Sequence, residues 1–188
     1  DFVNGFIPNS IFIGIDGDFA PWVGTIIKKV ETPILLVCDK DRLEEVAIRL
    51  SRVGFDNVLG HLKGEIKAWE QNTGELHIIN SISPNKFESI YSENIEIRVV
   101  DVRKSSEYLS EHMMGAVNTP LSILDEDSSK IIMGNENYIH CAGGYRSVIA
   151  CSILMKNGKS NITNIEGGFG AMKELNINFS DFVCPSTL

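Results

Sequence analysis

Apolar positions along this chain come in short β-branched runs that alternate with stretches of helical spacing. The pattern is sharpest in the second half. "IEIRVVDVR" (95–103) predicts a strand, and "SSEYLSEH" (105–112) a short helix with Ser105 as its N-cap. "MGAVNTPLS" (114–122) reads as a loop entering a short extended segment, and "NYIHC" (137–141) as an apolar strand. In "YRSVIACSILMKNG" (145–158) the apolar residues Val148, Ile149, Cys151, Ile153 and Leu154 precede a stop at Gly158, which predicts a buried helix with a glycine C-cap. "ITNIEGG" (162–168) predicts another strand, followed by the short helix "FGAMKEL".

The first half runs in step with the second. "PILLVCDK" (33–40) matches the strand ending at Cys141, and "DRLEEVAIRLSRVG" (41–54) matches the helix, with Val46, Leu50 and Val53 on one face. "NVLGHLKGEIKAW" (57–69) matches "NITNIEGGFGAM". Arg42 and Arg146 are 104 residues apart, as are Gly54 and Gly158, while Gly64 and Gly167 are 103 apart. A period this long implies tandem domains, not a solenoid. The turn-rich stretch "EQNTGELHIINSISPNKF" (70–87) marks the boundary and predicts domains at 1–76 and 77–188, with "HIINSI" apolar enough to form a strand. Strands alternating with helices predict an α/β fold in which each domain is a small, mostly parallel sheet flanked by helices. Runs such as "ILLV" and "YIH" suit a sheet covered on both faces. "GFIPNSIFIG" (5–14) corresponds to "HMMGAVNTPL", so the counterpart of "VVDVR" falls before Asp1. Domain one is therefore expected to lack its N-terminal strand, and the chain to derive from a longer protein.

Composition narrows the partners. The chain has 188 residues, with 43% hydrophobic and 22% charged, as a soluble globular protein would. No apolar run reaches the roughly 18 residues of a membrane span. The net charge of −8, without a long basic run, argues against nucleic acid and anionic membranes as partners. Any anion site must therefore be built locally. Cys38, Cys141, Cys151 and Cys184 form no C-x-x-C pair and no disulfide scaffold. They point to a reducing, cytoplasmic setting in which an unpaired thiol is free for chemistry.

One stretch concentrates that chemistry. In "IHCAGGYRS" (139–147) a cysteine ends an apolar strand and an arginine opens the next helix. Gly143 and Gly144 tolerate φ > 0 and would let successive N–H groups point into one concavity. Such a nest at a helix N-terminus binds anions, and it favours thiolate over thiol for a cysteine placed there. Two chemistries use a cup of this kind: sulfur transfer through a persulfide, and phosphate-ester hydrolysis. From Cys141 to Arg146 is C-x4-R, one residue shorter than the C-x5-R loop of cysteine phosphatases, and a smaller cup suits a single sulfur better than a phosphate.

The chain resembles two tandem rhodanese (sulfurtransferase) domains. The residues that carry the likeness are "VVDVRKSSEY" (99–108), "EHMMGAVNTPL" (111–121), "CAGGYRS" (141–147) and "IEGGFGAMK" (165–173), with "GFIPNSIFIG" and "LKGEIKAW" from the first repeat. It is similar to the C-terminal rhodanese pair of proteins that carry an N-terminal metallo-β-lactamase-like domain, a group that includes persulfide dioxygenases. The resemblance implies a Cys141 persulfide, held by the loop amides of Ala142, Gly143 and Gly144 and by Arg146, with Tyr145 and Ser147 lining the mouth. The implied donor is thiosulfate or glutathione persulfide, and the acceptor a thiol. This segment calls for no metal or organic cofactor, and any metal would belong to a metallo-β-lactamase-like domain in the parent chain.

Domain one departs from the pattern. Cys38 stands at the nucleophile position, but "CDKDR" is one residue shorter, places Arg42 at plus four and lacks glycine. Asp39 and Asp41 sit where anion-binding backbone is wanted, and carboxylates beside a thiolate raise its pKa. Domain one therefore reads as a degenerate copy with a structural or docking role. Asp101 and Arg103 read as a buried ion pair that Glu107 joins. His112 and His140 read as structural, Cys151 as buried and inert, and Cys184 as exposed. "FAPWVGTI" (19–26) reads either as a partner surface or as core. Two rivals remain for the whole: a non-catalytic docking module, and a phosphatase or arsenate reductase.

Overall fold

The structure, a computed structural model, describes residues 2–93, 97–131 and 135–184. They form two compact units. One holds the residues up to Pro8 together with Ile13–Ile78; the other holds Asn9–Phe12 and the described residues from Ile79 onward.

The first unit contains α1 (Phe19–Ile26), β1 (Ile34–Leu36), α2 (Leu43–Ser51), β2 (Val58–His61) and α3 (Glu65–Thr73). β1 and β2 pair in parallel, Ile34 opposite Val58 and Leu36 opposite His61. Its core is Phe19, Val23, Leu36, Val46, Leu50 and Phe55. "FAPWVGTI" is thus a helix that gives Phe19 and Val23 to the core. Two expectations change here. Val53 is 36% exposed because α2 stops at Ser51. The chain reverses at Gly54, whose N–H donates to Ser51 O (2.9 Å) while Phe55 N–H donates to Leu50 O (3.1 Å), so Phe55 supplies the core contact instead. "ILLV" is covered on one face only: Leu36 is buried, whereas Leu35 is 74% exposed and Leu59 of β2 is 65% exposed.

The second unit contains β3 (Asn80–Ile82), α4 (Pro84–Ser92), β4 (Arg98–Asp101), α5 (Ser105–Ser110), β5 (Val117–Asn118), β6 (Asn137–His140), α6 (Tyr145–Lys156), β7 (Ile162–Ile165) and α7 (Gly168–Met172). Its five strands form one sheet of order β3-β7-β6-β4-β5, every pair parallel. "HIINSI" supplies β3. Of the strand expected over 95–103, Ile95 and Glu96 lie outside the described residues. The N-cap of α5 is Lys104, not Ser105. Glu107 Oε2 accepts the Lys104 N–H at 3.0 Å, which starts the helix one residue earlier, and the Ser105 hydroxyl instead donates to Asn118 Oδ1 (3.3 Å).

The core follows from the alternation. Phe87 of α4 and Met172 of α7 close on Val99 and Ile165, while the next residue along β4, Val100, points to the opposite face. α6 buries Ser147 and the run Ile149–Leu154. It ends as its glycine predicts: Gly158 N–H donates to Met155 O (3.0 Å) and Lys159 N–H to Leu154 O (2.9 Å). Asn9–Phe12 packs within this unit, the Phe12 N–H donating to Ser152 Oγ (3.1 Å) and its ring meeting Tyr145 edge-on at 6.1 Å. Among the described residues no helix is long and apolar enough to cross a membrane.

Candidate active site

β6 ends at His140 and delivers Cys141 to the loop with the residue only 1% exposed. The backbone then reverses at Gly144, the N-cap of α6, whose φ of +99° lies in the left-handed region. Its N–H donates to Cys141 Sγ at 3.1 Å. Ser147 is fully buried, one turn into the helix; its hydroxyl donates to Gly144 O (3.0 Å) and its Oγ lies 3.7 Å from the sulfur. Ser147 therefore braces the turn and does not line the mouth. Gly143 differs from expectation as well. It is exposed and is not in the left-handed region, because one such residue suffices to turn strand into helix. Ala142 and Tyr145 are half-buried on either side of the glycine pair.

The segment after β7 forms the floor. Phe169 N–H donates to Cys141 O (2.7 Å) and Gly170 N–H to Ala142 O (3.0 Å). This approach requires glycine at 168: φ there is +57°, and a Cβ would lie 2.3 Å from Cys141 O. His140 is wholly buried, with Nδ1 3.2 Å from the same carbonyl. Burial holds its pKa below the ordinary imidazole value. Its Nε2 is 3.9 Å from Asp101 Oδ2, a separation that binds only a charged ring. A neutral His140 leaves Nε2 without a hydrogen bond. Asp101 and Arg103 form the buried pair read from the sequence, Nε and Nη2 both meeting the carboxylate, with the guanidinium 3.8 Å from the Phe169 ring centre. His112 packs on Tyr108 and bonds its carbonyl at 2.8 Å.

Arg146 opens α6 and is already engaged by a carboxylate. Nη1 donates to Glu107 Oε2 (2.6 Å) and Nη2 to Glu107 Oε1 (2.8 Å), a bidentate clamp in half-exposed surroundings. The same contact lowers the Glu107 pKa and raises that of Arg146. Glu107 thus bonds Arg146 directly and feels Arg103 only as a weaker, through-space charge. The Glu107 clamp on Arg146 and the need for glycine at 168 were the features that the sequence reading left unassigned. The i, i+3 relation of Glu107 to the α5 N-cap was the one available signal for the former.

The counterpart loop in the first unit is built differently. The Cys38 thiol is half-buried and its pKa is raised, by burial first and then by Asp39 and Glu65. Asp41 is not among the causes; Glu65 takes that role because its carboxylate folds back and accepts the Lys40 N–H at 3.2 Å. Glu65 sits at φ +58°, following Gly64 at +83°, whereas the second unit has Gly168 at +57° following Gly167 at +68°. The same backbone turn thus carries a carboxylate in one unit and no side chain in the other. Arg42 is engaged by Asp16 (2.7 Å) and Glu45 (2.9 Å). Cys151 is buried, and burial raises its pKa; Cys184 is exposed.

The Rhodanese-like domain model matches residues 83–175. Two bacterial relatives each match about half of the chain. The uncharacterized protein YqhL of Bacillus subtilis (strain 168) is 33% identical over 92 residues, covering 49% of this chain and 71% of its own. A protein named Sulfurtransferase from Allochromatium vinosum is 25% identical over 91 residues, covering 48% and 85%. Among solved structures, a Rhodanese-like domain of an Anabaena protein aligns with a TM-score of 0.50 at 22% identity, covering 56% of this chain and 81% of that one, which speaks for the fold alone.

Proposed function

We propose, for a chain that belongs to the rhodanese-like domain family, that the second unit is a sulfurtransferase centre working through a persulfide on Cys141. The observation that carries this is the sulfur at the strand end, receiving the Gly144 N–H at 3.1 Å at the start of α6. An anionic sulfur there is stabilised by the amide and by the helix dipole. In the first half-reaction the Cys141 thiolate attacks the outer sulfur of thiosulfate or of a persulfide. The donor's sulfur–sulfur bond breaks, and sulfite or the donor thiolate leaves with the bonding pair. In the second, an acceptor thiolate attacks the outer sulfur of the Cys141 persulfide and releases the Cys141 thiolate. Charge balances in each step, and neither consumes an oxidant or a cofactor.

The first unit, in this reading, is a degenerate rhodanese-like copy. Glu65 occupies the Lys40 amide that an anion would need, and the Cys38 pKa is raised. Its role is then structural or docking, including toward a metallo-β-lactamase-like domain if the parent chain carries one. The test is a discontinuous transfer assay with thiosulfate and glutathione persulfide as donors. Loss of transfer in Cys141→Ala and its persistence in Cys38→Ala is expected. Hydrolysis of a small aryl phosphate with no sulfur transfer would support the phosphatase rival instead.

A further inference from the structure

The geometry points to Glu107 as a residue that sets donor selectivity, disfavouring dianionic donors such as thiosulfate relative to singly charged ones; this rests on the sulfur-transfer reading above. The charges around the loop come as two closed pairs. Arg146 gives both terminal nitrogens to Glu107 at 2.6 and 2.8 Å, and Arg103 gives Nε and Nη2 to Asp101. These four formal charges cancel. In the thiolate form that attacks the donor, Cys141, five residues before Arg146 on the same strand-to-helix turn, then leaves the centre with one net negative charge. An incoming anion is therefore met by backbone amides and the neutralised Arg146 guanidinium, in a protein whose own net charge is −8.

Repulsion grows with the donor's charge. A dianion feels twice the effect of a monoanion, so uncoupling Glu107 should separate donors that are otherwise alike. Glu107 acts here through Arg146 and is a positioning residue. Its carboxylate also accepts the Lys104 N–H at 3.0 Å, and glutamine can keep one of these contacts while removing the charge.

The experiment compares thiosulfate with benzenethiosulfonate, a monoanion that presents the same kind of outer sulfur and leaves as a sulfinate. Removing one charge from a half-buried site should raise kcat/KM for thiosulfate about tenfold and for benzenethiosulfonate about threefold, through KM in both cases. The gain should shrink severalfold in 0.5 M salt, roughly as screening predicts. Glu107→Asp, which keeps the charge, should leave the donor ratio near wild type. Equal losses for both donors in Glu107→Gln, or a ratio unchanged by charge and salt, would show that Glu107 only orients Arg146 and would overturn the inference while sulfur transfer itself stands. No transfer by the wild type from either donor or from glutathione persulfide would overturn the inference together with the reading beneath it.

Discussion

Replacing Gly168 with alanine tests the floor of the loop. The backbone there has φ +57°, which costs an L-residue about 1–2 kcal/mol. The new Cβ would lie 2.3 Å from Cys141 O and 3.0 Å from the Ala142 carbonyl, so the backbone must move. Moving it weakens the Phe169 N–H bond to Cys141 O (2.7 Å) and the Gly170 N–H bond to Ala142 O (3.0 Å). Each is worth about 1 kcal/mol. Together the losses come to about 3–4 kcal/mol, which for a chain of this size lowers Tm by about 10 °C. Circular-dichroism melts measure the loss, and transfer assays well below both melting points report whether the sulfur has also left its place under the Gly144 amide. Gly143→Ala is the control: a Cβ there meets open space, and its Tm should match wild type. A Gly168→Ala protein that melts within about 2 °C of wild type and transfers sulfur normally would refute the packing of β7's following turn against the loop.

Other expectations follow from the same geometry. Asp101→Ala leaves the buried Arg103 guanidinium without its carboxylate and should cost about 3–5 kcal/mol in urea denaturation. His140 is held neutral by burial, so the unfolded chain takes up a proton that the folded one does not: stability should be constant above about pH 6.5 and fall as pH drops below it, and His140→Gln should flatten that part of the profile. Glu65→Gly removes a carboxylate that raises the Cys38 pKa, so Cys38 should alkylate faster at pH 8; relief of the left-handed Glu65 and loss of its bond to the Lys40 N–H offset each other, so stability should change by less than about 1 kcal/mol. In native protein a maleimide should label exposed Cys184 first and leave Cys151 unlabelled until unfolding.

Much of this was legible from the chain. The β–α alternation foretold a parallel sheet, because runs such as "YIH" lack the polar alternation of a half-exposed strand, and β6 is covered as they imply. "CAGGYRS" announced the strand-to-helix turn, since a cysteine, glycines and a helix-opening arginine seldom have another reason to be so close. What escaped was contact between segments distant in sequence. Nothing local tells that Glu107 reaches Arg146, that Gly168 must pass under Cys141 O, or that Glu65 reaches the Lys40 amide. "ILLV" misled because an apolar run does not reveal whether a second layer covers it, and Val53 because helical spacing does not mark the residue where the helix stops.

The most direct test of the central claim is intact mass after brief exposure to thiosulfate, repeated with glutathione persulfide, followed by peptide mapping. One added sulfur atom on Cys141, absent from Cys141→Ala and retained in Cys38→Ala, is the expected result. Sulfur on Cys38 instead, or on no cysteine with either donor, would contradict it.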